Sequence, residues 1–421
     1  MVSRIAQCFG KGDRMSGLNG QAAAASGEPR AAWGAVAAMT LGVFGLVTAE
    51  FLPAGLLTPM AADLAVTEGQ AGQAVTATAV VALATGIFVS TATRRIDRRH
   101  LLIAFSVLLV ASNLMVALTP DLPVLLAGRV MLGIAIGGFW TMATATAIRL
   151  VPAALVPRAL SIIFTGVSAA TVVAAPVGSF LGDVLGWRAV FLIGAGLGVL
   201  AFAAQLATLP RMAPSGATRL RTLVEVLARP GIGAGMLAVI LVFAGHFALF
   251  TYIRPFLETV TGVAAGGVAA ILLGFGLANF VGTFLAGFLI ERSLRLTLVL
   301  MPLVMGVIGL ALVGLGGRPV VDGALVAVWG LAFGAVPVAW TSWLARTVAD
   351  EAESAGGLLV AAIQFAIAAG AAVGGGVYDA AGADGVFTVG GAVLVVSALM
   401  VLAGIRRSVP AGRLAAARDA L

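Results

Sequence analysis

Glu50 lies in Gly45-Leu46-Val47-Thr48-Ala49-Glu50-Phe51-Leu52-Pro53, inside an otherwise apolar segment. Among the 18 Asp and Glu residues of the chain, it is the one placed far from either end of an apolar segment. An ionised carboxylate in hydrocarbon is costly, and the protonated form costs far less. A carboxyl so placed either hydrogen-bonds neighbouring helices or takes up and releases a proton during a transport cycle. The second reading is preferred for a lone acid among many apolar segments.

Arg129 is the matching cation. It lies about seven residues into the fourth apolar segment, roughly 10 Å deep at 1.5 Å per residue, and Glu50 lies about eight residues from the end of the first, roughly 12 Å deep. The depths match, so the two can pair if both helices face one cavity. Burial favours a neutral acid and a nearby guanidinium favours a carboxylate. A motion that separates them therefore captures or releases a proton. The alternative is that Arg129 binds backbone carbonyls and holds the helices together.

Other candidates are ligand contacts. Arg129, Gly133, Gly137 and Trp140 fall close to one helical stripe, as do Phe243, His246, Phe250 and Arg254. Aromatic rings such as Trp140 and Trp340 suit stacking on a flat heterocycle, and equally suit packing. His246 can hydrogen-bond a ligand, titrate near neutrality, or simply pack. Asn279 and Gln364 are mid-segment amides that either read polar edges of a substrate or link helices. Arg94-Arg95-Ile96-Asp97-Arg98-Arg99 is a charged turn. Asp97, Arg98 and Arg99 are read either as a solvated loop or as a gate that bonds neighbouring helix ends in one state only.

The elements that must position these residues follow from composition. The chain has 421 residues, of which 61% are hydrophobic and 10% charged. That leaves too few polar residues to cover a soluble domain. Apolar runs of about 20 residues recur, each able to cross a hydrocarbon core of about 30 Å. The fold class is an all-α membrane protein with twelve transmembrane helices. They are expected near 33–58, 70–92, 101–119, 122–150, 158–182, 188–209, 231–257, 264–290, 295–316, 320–347, 353–379 and 384–405. Residues 1–30 read as a disordered cytoplasmic tail, 31–209 as a first six-helix half, 210–230 as a linker, 231–405 as a second half and 406–421 as a second tail.

Several chemistries are excluded. Cys8 is the only cysteine, so there is neither an intrachain disulfide nor a cysteine metal cluster. His100 and His246 are too few for a zinc site without further ligands. Lys11 is the only lysine, and no phosphate-binding Gly-rich loop with Lys-Ser/Thr occurs. There is no nucleophile–base pair either, so the chain is not read as an enzyme, and no cofactor is expected. Active transport must then draw on an ion gradient, unless a separate ATPase subunit helps.

The cations set the topology. By the expected segments, 21 Lys and Arg residues fall on one side and only Arg188, Arg254 and Arg318 on the other. The positive-inside rule puts both termini in the cytoplasm. The net charge of +7 is thus a topology signal near anionic lipid, and nucleic acid is not an expected partner. The halves also resemble each other. Gly133-Ile134-Ala135-Ile136-Gly137 matches Gly330-Leu331-Ala332-Phe333-Gly334, with Arg149 and Arg346 following at equal intervals. Ile96-Asp97-Arg98 matches Ile290-Glu291-Arg292, and Val177-Gly178 with Asp183 matches Val373-Gly374 with Asp379. A duplicated six-helix unit is a known carrier plan, with the solute bound between the repeats near the midplane.

These residues resemble the major facilitator superfamily, in its drug and metabolite proton-antiporter branch, from about residue 31 to 405. The similarity is most specific in Glu50-Phe51-Leu52-Pro53, Leu56-Leu57-Thr58-Pro59-Met60, Ala71-Gly72-Gln73, Gly137-Gly138-Phe139-Trp140 and Phe250-Thr251-Tyr252-Ile253-Arg254-Pro255. Arg129-x-x-x-Gly133 matches the family's fourth-helix motif linked to proton coupling. Ala175-Pro176-x-Gly178 resembles its fifth-helix antiporter motif, which marks Pro176 and Gly178 as gating candidates. The 90–99 turn matches the gating motif only in part, with Ser90 and Arg94 replacing the usual Gly and Asp. The resemblance implies export of purine nucleosides such as inosine or guanosine in exchange for protons, by a monomer in a bacterial inner membrane. Export of a sugar, drug or other metabolite by the same fold is the alternative, and a non-transporting membrane sensor a more distant one.

Overall fold

The computed structural model describes residues 31–214 and 220–404. The two expected tails and part of the linker lie outside those residues. Six helices form the first half: α1 (Trp33–Asp63), α2 (Glu68–Ala92), α3 (Arg98–Ala117), α4 (Leu122–Leu150), α5 (Val156–Leu185) and α6 (Trp187–Thr208). A short helix, Leu220–Leu227, precedes α7 (Ile232–Thr251), which is extended by Ile253–Thr259. Two further helices are long: Ala265–Leu315 has 51 residues and Ala352–Gly404 has 53. At 1.5 Å per residue each is about 75–80 Å, more than twice a bilayer core. Both are broken midway, at Ser293 (φ −168°, ψ 102°) and at Gly382 (φ 68°, ψ −167°). The breaks divide them into α8 (265–292) and α9 (294–315), and α11 (352–381) and α12 (383–404). With α10 (Pro319–Thr347) between the two pairs, the described residues cross the membrane twelve times.

Local chemistry explains the helix ends. Thr67 and Gln70 form a reciprocal capping box at the start of α2 (3.0 Å each way). Asp121 caps α4 through the Val124 amide at 3.0 Å. Gly186, between α5 and α6, has φ +84°, and Gly382, 196 residues later, has φ +68°. Glycine enters that region without the Cβ penalty. The same turn is therefore made at the same place in each half. The seventh segment, expected as one piece over 231–257, is interrupted at Tyr252. Pro255 has no N–H to give the Thr251 carbonyl and its ring crowds that carbonyl, which breaks the helix there.

The repeat is visible in packing. A Cβ on Gly133 or Gly137 of α4 would strike the Thr78 or Ala82 carbonyl of α2. A Cβ on Gly330 or Gly334 of α10 would strike the Phe275 or Asn279 carbonyl of α8. Every one of these four pairs is related to its counterpart by 197 residues. Asn113 against Gly194 and Leu310 against Gly391 repeat at the same interval. In a bilayer, where helix association lacks a hydrophobic drive, such backbone approach supplies the packing. Phe88, Phe284 and Phe288 are more than half exposed, which suits a surface wetted by lipid.

A test of this packing follows. Gly334→Ala must push α8 and α10 apart, because the atoms met are backbone. It should cost about 1–3 kcal/mol, seen as a lower Tm in detergent. Gly287→Ala, with nothing within 4 Å of the new Cβ, should be neutral or stabilise by up to about 1 kcal/mol.

Candidate functional site between the two halves

Glu50 lies where the halves meet. Its residue is buried, and it lines a cavity of about 10 Å³ together with Phe51, Ala54, Val75, Phe247, Phe250, Thr251 and Ile367. That is room for about one water. Gln364 of α11 is the side-chain amide that faces the carboxyl from the opposite half. Oε1 of Glu50 and Oε1 of Gln364 have no hydrogen-bond partner. Phe51 carries the contact onward: its ring meets Phe247 and Phe250 of α7 at centroid distances of 6.1 and 5.9 Å. The acid is thus set in an apolar seam, with one amide for company.

Arg129 is buried to 1% exposure but forms no ion pair with Glu50. Its Nη1 donates to the carbonyl of Ala49 at 2.9 Å, and its Nε and Nη2 are unpartnered. The guanidinium also stands 5.7 Å from the Phe191 ring of α6. The choice of Ala49 has a local cause. Pro53 sits four residues later and has no N–H, so the Ala49 carbonyl has no donor within the helix. Arg129 fills that gap, one residue from Glu50. The expected pair with Glu50 is not formed; Arg129 holds backbone, and its cation stands within electrostatic range of the acid.

The remaining candidates are spread out. His246 is enclosed by aromatics: it stacks on Phe333 at 3.4 Å between centroids, and Phe247, Phe250, Phe275 and Trp329 surround it. Trp329 Nε1 donates to His246 Nδ1 at 3.1 Å, which leaves the ring proton on Nε2. It therefore backs the cavity wall and is not among the residues lining it. Trp340 is buried edge-on against Trp343. Trp140 is half-buried between Phe139 and Phe164 of α5, so it does not share the surroundings of Arg129. Asn279 is buried where α8 crosses α10. Arg254 is not on the His246 stripe, because the helix break at Tyr252 intervenes. It bonds Asp183, Ser179, Gly55 and Glu258 instead. Pro176 leaves the Val172 carbonyl without its helical donor, and Val172 packs against Gly276 of α8 in the other half. Gly178 packs against Leu52 of α1.

At the arginine-rich end, Asp97 caps α3 through the Arg99 amide (2.8 Å) and accepts from the Met212 amide at 3.0 and 3.1 Å. Slight burial works against the charge, but those two amides hold the Asp97 carboxyl below its ordinary range. Arg98 donates to Met142 Sδ, Arg99 to the Leu206 carbonyl and Arg149 to the Ala213 carbonyl. These contacts clamp the exit of α6 onto its own half. Near the start of α7, Arg229 pairs with Asp350 through two bonds of 2.8 Å. A larger groove of about 360 Å³, lined by Trp33, Val36, Ala37, Arg158 and Ile162, holds none of the expected site residues.

Sequence reasoning missed Phe51, Phe247, Trp329 and Phe333. It also missed Asp322, which is wholly buried in the first turn of α10 and accepts from the Gly317 amide at 3.2 Å. Depth along an apolar run does not report burial by neighbouring helices.

Residues 39–360 match the Major Facilitator Superfamily. The chain is 45% identical over 382 residues to a purine ribonucleoside efflux pump, NepI, of Salmonella paratyphi C, covering 91% of this chain and 96% of the relative. It is 44% identical over the same length to the NepI of Salmonella enteritidis. A crystal structure of a D-xylose–proton symporter superposes with a TM-score of 0.71 at 17% identity, covering 89% of this chain and 97% of the symporter. A bacterial homologue of the lysosomal transporter Spinster, inward-facing and unoccupied, superposes at 0.67 with 16% identity, covering 89% and 95%. Twelve crossings in two like halves, a buried acid at their seam and this extent of similarity agree: the chain is a multi-pass membrane transporter that belongs to the major facilitator superfamily.

Proposed function

We propose that this chain exports purine ribonucleosides from the cytoplasm in exchange for protons. The observation that carries the reading is Glu50: a carboxyl buried at the seam, beside a cation it does not pair with and an amide from the other half. The substrate class rests on the relatives that are named purine ribonucleoside efflux pumps. The flat rings of Phe51, Phe247 and Phe250 suit stacking on a purine. Gln364 supplies amide donors and an acceptor for its edge or for the ribose.

The cavity of about 10 Å³ is far below the roughly 300 Å³ or more that a small ligand occupies. Access therefore requires the halves to rock apart, first at one end and then at the other. Protonation of Glu50 takes the carboxylate charge out of the apolar seam and makes it easier to close over; solute binding and proton release favour opposite openings. The preponderance of cations orients the arginine-rich end, and both termini, to the cytoplasm of an inner membrane. The two halves, 31–209 and 231–405, are the moving bodies and 210–230 their linker. The carrier works as a monomer, since the path lies within one chain.

The test uses inverted membrane vesicles with an acid lumen. Labelled inosine should accumulate inside, a protonophore should abolish the accumulation, and excess guanosine should compete with it. Accumulation of a sugar or a cationic drug in place of inosine would overturn the substrate assignment. Inosine uptake indifferent to the protonophore would overturn the coupling.

A further inference from the structure

Arg254 spends all three guanidinium nitrogens at the arginine-poor end, which the proposed orientation makes the outer one. Nη1 donates to the Gly55 carbonyl of α1 at 2.7 Å and to Ser179 Oγ of α5 at 3.2 Å. Nη2 pairs with Asp183 of α5 at 2.8 Å, and Nε with Glu258 on its own helix at 2.8 Å. The carbonyl is available for a specific reason. Pro59 lies four residues after Gly55 and lacks the N–H that would bond it. The backbone is also bare there, because α1 and α5 approach so closely that a Cβ at Gly55 would strike the Ala175 carbonyl. An arginine of the second half thus completes a helix of the first.

A second grip stands at the same end. Asp379 of α11 accepts from Thr67 Oγ1, just before α2, at 3.1 Å. Asp183 and Asp379 are 196 residues apart, the interval that also separates Gly186 from Gly382. Equivalent aspartates in the two repeats therefore each reach across to the opposite half.

We infer that Arg254 is a positioning residue which, with Asp183 and the repeat-equivalent Asp379, latches the outer end of the cavity shut. Opening outward must take Arg254 off the Gly55 carbonyl and off Asp183 together. Water then solvates the freed groups, so the contacts distinguish the closed state from the open one. Arg254 and Asp183 make the stronger grip, since they are an ion pair with little exposure, at 5% and 23% of the two side chains. Thr67 and Asp379 make the weaker one.

The test reads accessibility in right-side-out vesicles, in a Cys8→Ser background. Ala54→Cys reports the cavity beneath the latch, and Ala135→Cys, buried in the core of the first half, reports loss of folding. With Arg254→Gln, an impermeant maleimide should label Ala54→Cys about tenfold faster, equivalent to about 1.4 kcal/mol in the closing equilibrium, while Ala135→Cys stays unlabelled. Arg254→Lys, which keeps the charge without the fork, should fall between wild type and Arg254→Gln. Asp183→Asn should raise the rate less than Arg254→Gln does. Two results overturn the latch. One is an unchanged Ala54→Cys rate in both Arg254→Gln and Asp183→Asn. The other is a parallel rise of both reporters in Arg254→Gln with neither moved by Asp183→Asn.

Discussion

Glu50→Gln should reduce steady-state accumulation of inosine in acid-lumen inverted vesicles from several hundredfold to about one. The magnitude follows from the driving force. One proton crossing about 100 mV yields about 2.3 kcal/mol, and a unit of pH adds about 1.4. For a neutral solute, at tenfold per 1.4 kcal/mol, that sum sustains several hundredfold. Glutamine keeps the shape and hydrogen-bonding reach of the protonated acid but has no proton to exchange. The seam can still close over it, with the Gln364 amide facing it as before. Downhill exchange of labelled for unlabelled inosine should therefore persist, while concentrative uptake disappears. The pair of assays separates coupling from folding, because an unfolded carrier loses both. Wild-type accumulation by Glu50→Gln would sink the assignment of the proton to this residue.

The architecture was legible because its signals are local. Apolar runs are read without knowing any contact, and the breaks at Ser293 and Gly382 fall within the intervals left between expected segments. The repeat was legible for the same reason, since glycines that admit a neighbouring carbonyl must recur wherever the crossing recurs. Glu50 and Arg129 stood out as charges in hydrocarbon. The aromatic seam did not, because Phe51 meets Phe247 and Phe250 across about two hundred residues of chain and nothing local marks a phenylalanine that faces a partner half. Arg254 shows a different failure. Spacing placed it on the His246 stripe, which assumes a continuous helix, and Pro255 breaks that assumption one residue on. The signal that would have found its partner was present: Pro59, four residues after Gly55, exposes a carbonyl. The same offset from Pro53 names Ala49 as the acceptor for Arg129.

That offset makes a thermodynamic cycle available for Arg129. Arg129→Met removes a buried guanidinium, two of whose donor nitrogens are unpartnered, and this by itself favours the folded state. It also strips the Ala49 carbonyl of its only donor, since Pro53 offers none, and an orphaned buried carbonyl costs about 1–3 kcal/mol. Pro53→Ala restores the helical N–H to that carbonyl, at some cost in the geometry the proline imposes on α1. If the two changes act through one carbonyl, they do not add. The double variant should be more stable than the sum of the singles predicts by about 1–2 kcal/mol, read from chemical or thermal unfolding in one detergent. Transport should respond differently. Losing the cation beside Glu50 should abolish accumulation in the single and in the double variant alike, because Pro53→Ala repairs the backbone and not the charge. Additive stabilities would mean that Arg129 does not hold α1 through Ala49. Accumulation recovered by Pro53→Ala would mean that the guanidinium serves the pump only as a clamp on Glu50's helix, and that its charge is dispensable.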